Sequence, residues 1–229
     1  MMIFVIAVIS TSPAYGHKLI THDDTHRSLE NALKIPDHKI SWAIYENLGP
    51  NEEKFYSFEA KPGDSFYASI VIPKIMGLEE YSPTLVLVNG NYIEKDDDLM
   101  ESQAVMEKVV YDNELPGREF YEPFGQVTYW ERQEINTILP TEGKYFVIVL
   151  DESNQKGKYS LAIGTIEDFS GVDLFTMLPT AWIETKLFVE DYSSIAVFVI
   201  VLIAILAIPT ISLIKKRINR TRTNLSVPT

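Results

Sequence analysis

Three of the four histidines in this 229-residue chain crowd near its start: His17, His22 and His26, with Asp23 and Asp24 between them. Imidazole nitrogens suit copper or zinc. If the segment is helical, His22 and His26 stand at i, i+4 and share a face. Cleavage after Gly16 would make His17 the first residue, and its free α-amine would chelate together with its own ring. His17, His22 and His26 are therefore a candidate copper or zinc set. The competing reading is a solvated leader whose histidines are incidental. Asp96, Asp97 and Asp98, with Glu94 and Glu101, offer the oxygen ligands that Ca²⁺ takes. They lack the spaced Asp-x-Asp-x-Asp-Gly of a defined loop, so they read as a charged hairpin tip.

A second constellation lies further on. Phe124, Tyr129 and Trp130 are candidate ligand-binding residues, an aromatic platform for a sugar or a peptide. Glu122, Glu131 and Glu134 nearby suggest the paired carboxylates of a carbohydrate hydrolase, but their spacing does not set two of them across a bond. The chain has no cysteine, no Gly-x-Ser-x-Gly elbow and no glycine-rich phosphate loop. The expectation is a non-enzyme without a cofactor.

The elements that must position these residues read mostly as strands. Residues 40–45, 54–59, 65–72 and 83–88 are rich in aromatic and β-branched types. Gly49-Pro50-Asn51, Lys61-Pro62-Gly63-Asp64 and Asn89-Gly90-Asn91 punctuate them as turns. A short strand is expected at 109–111, and longer ones at 134–139, 144–150 and 158–163. Seven or eight strands without intervening helices predict antiparallel pairing in two packed sheets. Before them, Asp24 or Thr25 is placed to cap a short helix that carries Leu29, Ala32 and Leu33 on one face and ends at Pro36.

Both ends of the chain are apolar. Residues 195–214 are twenty consecutive uncharged residues, which at about 1.5 Å per residue cover a hydrocarbon core of about 30 Å. Lys215, Lys216, Arg217, Arg220 and Arg222 follow, with no acidic residue after them, so the positive-inside bias puts the C-terminus in the cytoplasm. The opening run with Ala14-Tyr15-Gly16 reads as a signal peptide cleaved after Gly16. Setting the five tail cations aside leaves 15 basic against 32 acidic residues, a formal −17. Such a surface repels nucleic acid. With no cysteine and no external glycosylation sequon, the chain fits a prokaryotic envelope better than an animal cell surface.

FYSFEAKPGDSFYASIVI, PTLVLV and ILPTEGKYFVIVLDESNQKGKYSLAIG resemble the bacterial and archaeal pre-peptidase C-terminal domain family, exported jelly-roll modules found on secreted proteases and surface proteins. The resemblance covers roughly residues 53–164. Its most specific part is the Gly-Lys-Tyr that opens each of the last two strands. It departs in the long insertion at 89–133 and in having no protease domain. It implies a jelly-roll-like β-sandwich and an exported compartment, not an activity.

The expected organisation is a signal peptide (1–16), a leader with a short helix (17–39) and the sandwich (40–167). An amphipathic stalk broken at Pro179 (168–194), a transmembrane helix (195–214) and a basic cytoplasmic tail (215–229) complete it. The expected role is binding, scaffolding or membership of a membrane complex. The expected partners are the lipid bilayer and a protein of the membrane or envelope. The alternative is copper or zinc handling by the N-terminal histidines.

Overall fold

The computed structural model describes residues 17–93, 99–100, 102–168 and 173–225. The expected signal peptide and the acidic run 94–98, with Glu101, lie outside them. The early elements are β1 (Lys18–Leu19), β2 (Leu33–Lys34), β3 (Trp42–Leu48), β4 (Glu53–Ala60), β5 (Ser65–Pro73) and β6 (Thr84–Asn89). They are followed by β7 (Val105–Val109), β8 (Glu119–Glu122), β9 (Val127–Ile138), β10 (Gly143–Leu150), β11 (Gly157–Ile163), α1 (Asp173–Phe188) and α2 (Tyr192–Leu225). The chain divides into two compact units, the sandwich unit ending at Thr185 and Lys186–Thr229.

One sheet has the order β1-β3-β11-β5-β9-β8 and the other β2-β4-β10-β6-β7. Without the short β1, β2 and β8, the remaining strands counted in chain order run 1-8-3-6 in one sheet and 2-7-4-5 in the other. That is the jelly-roll arrangement of two Greek keys. Its pairs are antiparallel, as expected for strands without helical crossovers.

Strand alternation builds the core. Trp42, Ile44 and Leu48 of β3 face Tyr56 and Phe58 of β4 across the sandwich, with Tyr145, Val147 and Val149 of β10 beside them. The other face of β10, Phe146, Ile148 and Leu150, packs into a second cluster with Leu29, Ala32, Ile93, Leu99, Met100 and Ala104. A strand apolar on both sides thus lies between core and loops, as its sequence predicts. The two Gly-Lys-Tyr motifs have a physical role. Tyr145 and Tyr159 point inward and are fully buried, so their hydroxyls need partners. Tyr145 donates to the Thr141 carbonyl at 2.9 Å, and the Tyr159 hydroxyl lies 2.8 Å from that of Tyr56. Gly164, at φ +76°, ends β11 where a Cβ would collide with the carbonyls of His38 and Ile40.

Several expectations are corrected. No helix forms between residues 24 and 36. Instead the segment crosses from one sheet to the other: β1 pairs parallel with β3, and β2 parallel with β4. It covers two edges that would otherwise be open, so tertiary pairing overrides a weak helical signal. The strand expected at 109–111 is β7, ending at Val109, and the strand expected from 134 is the last half of the twelve-residue β9. Helix α1 runs through Pro179 rather than breaking there. Proline removes one amide donor, and the turns after it carry the helix on to Phe188.

In the second unit, Asp191 caps α2 by accepting from the Ser194 amide at 3.1 Å. The Lys186 ammonium, 2.8 Å away, together with the Ser193 and Ser194 hydroxyls holds its carboxyl well below the usual carboxylate range. Within α2, Tyr192–Arg217 is long and apolar enough to cross a membrane by length and composition.

Candidate functional site

The outer face of the six-stranded sheet carries a groove. Strand registers lay its floor in two rows: Ala43, Ala162, Ser69 and Glu134, then Tyr45, Ser160, Val71 and Glu131. Ala43, Ala162, Ser69 and Ser160 keep the floor low, and Tyr45, Glu131 and Glu134 stand at row ends. Tyr67, Phe120, Phe124 and Tyr129 rise as walls, and Ala181 and Thr185 of α1 close one side. The volume of the groove is about 240 Å³.

Hydrogen bonds fix the walls. Glu122 accepts from the amides of Phe124 and Gly125 at 2.7 and 2.5 Å, closing the turn from β8 to β9 and setting Phe124 in place. Thr185 Oγ1 donates to the Ala181 carbonyl, so the Tyr45 hydroxyl donates to Thr185, both at 2.8 Å. Burial pushes the phenols of Tyr45 and Tyr129 above their ordinary value, keeping them protonated donors. Glu131 pairs with Arg118 at 2.6 Å. Aromatic faces with carboxylate and hydroxyl groups over a floor of small residues suit noncovalent recognition of a polar ligand with apolar faces.

Of the residues the sequence points to, Phe124 and Tyr129 line this groove and Trp130 does not. Neighbours on a strand face opposite ways, and Trp130 packs into the core between the sheets. Tyr45 and Tyr67, which the sequence reading did not single out, stand at outward positions of β3 and β5. Alternation with the buried Ile44 and Phe66 was the signal that could have found them.

The histidines separate. His17 Nδ1 lies 2.6 Å from Ser41 Oγ, its ring lines the groove, and burial lowers its pKa. His22 and His26 instead meet Glu46, and His17 stands apart from them. His26 Nε2 donates to Glu46 Oε1 at 2.6 Å, and the Tyr56 hydroxyl donates to the same oxygen at 3.0 Å. His22 Nε2 lies 3.1 Å from the Tyr45 carbonyl and 3.2 Å from Glu46 Oε1, while its Nδ1 accepts from the Asp24 amide at 3.3 Å. That pattern puts the His22 proton on Nε2. Lys54, wholly buried, pairs with Asp24 and stands 3.8 Å from Glu46 Oε2. Burial opposes the charge of Asp24, yet Lys54 and Arg27 hold its carboxyl below the usual range. Burial holds Tyr56 and Tyr159 well above the ordinary phenol value.

Glu46 and Lys54 were legible as anomalies. In Trp42-Ala43-Ile44-Tyr45-Glu46-Asn47-Leu48 the alternation puts Glu46 on the inward face, and Lys54 shares a face with Tyr56 and Phe58. The chain reversal at Asp24, with φ +64°, brings the histidines to them without a helix.

No protein-family model matches the chain, and no curated protein does. Among solved structures, it is similar to the pre-peptidase C-terminal domain of a collagenase from Bacillus anthracis. The two are 16% identical, the match covers 57% of this chain and 91% of that one, and the TM-score is 0.32. PliG of Aeromonas hydrophila, a periplasmic inhibitor of g-type lysozyme, is 10% identical over 65% of this chain and 98% of its own, with a TM-score of 0.36. PliG of Salmonella Typhimurium is 17% identical over 58% and 96%, with a TM-score of 0.30. The first of these bears the name of the family that the sequence motifs resemble. The jelly-roll assignment rests on the strand order and registers above.

Proposed function

We propose that this chain is a single-pass membrane protein that holds its β-sandwich outside the cytoplasm and binds a glycan in the groove on the six-stranded sheet. The observation that carries the reading is the groove itself, with Tyr67, Phe120, Phe124 and Tyr129 around a floor of small residues and Glu122, Glu131 and Glu134 at hand. Aromatic rings stack on the apolar faces of sugar rings, and carboxylates accept from their hydroxyls. Ligand sites generally combine such an apolar lining with a few placed polar groups. A formal −17 outside the basic tail argues against nucleic acid as the ligand.

The test is a glycan array and a peptide library probed in parallel with the full-length protein in detergent. A glycan hit should weaken tenfold or more in Phe124→Ala and Tyr67→Ala while the Tm stays within a few degrees. A ligand bound equally well by both variants would move the site elsewhere, and hits from the peptide library alone would replace the glycan with a peptide. Co-purification from solubilised membranes examines the scaffold or subunit role, which a stoichiometric protein partner would support.

The topology is supported by the apolar stretch of α2 and by the five cations beyond it, with no acidic residue after them. Protease added outside intact cells should digest the region up to residue 191 and spare a C-terminal tag. The reverse pattern would invert the orientation.

A further inference from the structure

We infer that His22, His26 and Glu46 form a site for a divalent transition-metal ion of the zinc type, placed where the N-terminal segment crosses the edge of the sandwich. A ligand atom from each of the three lies within 4.8 Å of the others. Two imidazoles and a carboxylate are a known zinc donor set, and they leave a fourth position open. The ligands stand on anchored backbone. Glu46 is inside β3, the Ile20 amide donates to the Ala43 carbonyl at 3.0 Å, and the Phe55 amide donates to the His26 carbonyl at 2.9 Å. Tyr56, bonded to Glu46, supplies the outer contact that orients a ligating carboxylate.

A charge count also points to a cation. The charged groups paired around the site are Asp24, Glu46 and Glu52 against Arg27 and Lys54, three acidic against two basic. Lys54 is the internal competitor, but it approaches Oε2 and leaves Oε1 to the histidines. Metal on Nε2 of His22 moves its ring proton to Nδ1, so the 3.3 Å contact from the Asp24 amide is given up.

These residues are separate from the groove, so the test stands apart from glycan binding. Zinc chloride is titrated calorimetrically into full-length protein in detergent, purified without a polyhistidine tag. One equivalent should bind and raise the Tm. Cobalt(II) should give the visible absorption of a low-coordinate site. His22→Gln and His26→Gln should weaken zinc binding tenfold or more, and His17→Gln should leave it unchanged. His22, with its side chain 12% exposed at the rim, is the variant least exposed to folding loss and decides the matter if His26→Gln unfolds. The inference is overturned by no saturable binding, or by wild-type affinity in folded His22→Gln. Binding lost only in His17→Gln would likewise overturn it, by moving the metal to the chain start.

Discussion

Glu46→Ala should destabilise the protein by about 3–5 kcal/mol, the cost typical of removing one partner from a buried ion pair. Lys54 is wholly buried, and its two carboxylate neighbours are Glu46, itself 1% exposed, and the half-exposed Asp24. Without Glu46, the His26 Nε2–H and the Tyr56 hydroxyl also lose their acceptor inside the sandwich. At 2–4 °C per kcal/mol for a domain of this size, the Tm should fall by about 6–20 °C. The measurement is thermal unfolding of full-length protein in detergent, followed by near-ultraviolet circular dichroism. Glu46→Ala with Lys54→Met should recover part of the loss, because the uncompensated ammonium is then gone. A Tm within 2 °C of wild type for the single variant would show that the cluster does not hold the two sheets together.

Phe58→Ala is expected to cost about 3–5 kcal/mol, through lost burial and the cavity left behind. The ring lies parallel to Phe66 at 4.9 Å between centroids, with Tyr145 at 5.7 Å and His38 at 4.8 Å. Its ring neighbours come from both sheets, Tyr145 of β10 on one side and Phe66 of β5 on the other, so collapse into the space is restricted. Met76→Ala is the control. Met76 is 94% exposed, and such surface changes usually stay within about 0.5 kcal/mol. Equal urea midpoints for the two variants would contradict the core as described.

The strands were legible because their period shows directly in the residues. Lys144-Tyr145-Phe146-Val147-Ile148-Val149-Leu150, apolar on both sides, declares a strand buried on both faces, and turn chemistry at Lys61-Pro62-Gly63-Asp64 separates β4 from β5. The apolar stretch of α2 was legible from length and charge alone. Half of the aromatic platform was legible too. Tyr129 and Trp130 are neighbours, and alternation allows only one of them into the groove, but which one depends on the register of a strand whose first half carries no clear pattern.

The rest was decided by contacts distant in sequence. Residues 17–39 hold too few apolar positions at a regular spacing to declare themselves, and they take their conformation from the edges of β3 and β4. His22 and His26 stand side by side, their ring centroids 4.7 Å apart, through a reversal at Asp24 rather than a helix, and His17 bonds to Ser41 instead. The sequence by itself determined most of the core strands, the apolar helix and the basic charge of the C-terminal tail, because those depend on local period and composition. Only the tertiary structure decided that Glu46 completes the histidine cluster and that Tyr45, Tyr67, Phe124 and Tyr129 share one groove, because side chains on separate strands are brought together by register, which no local pattern encodes.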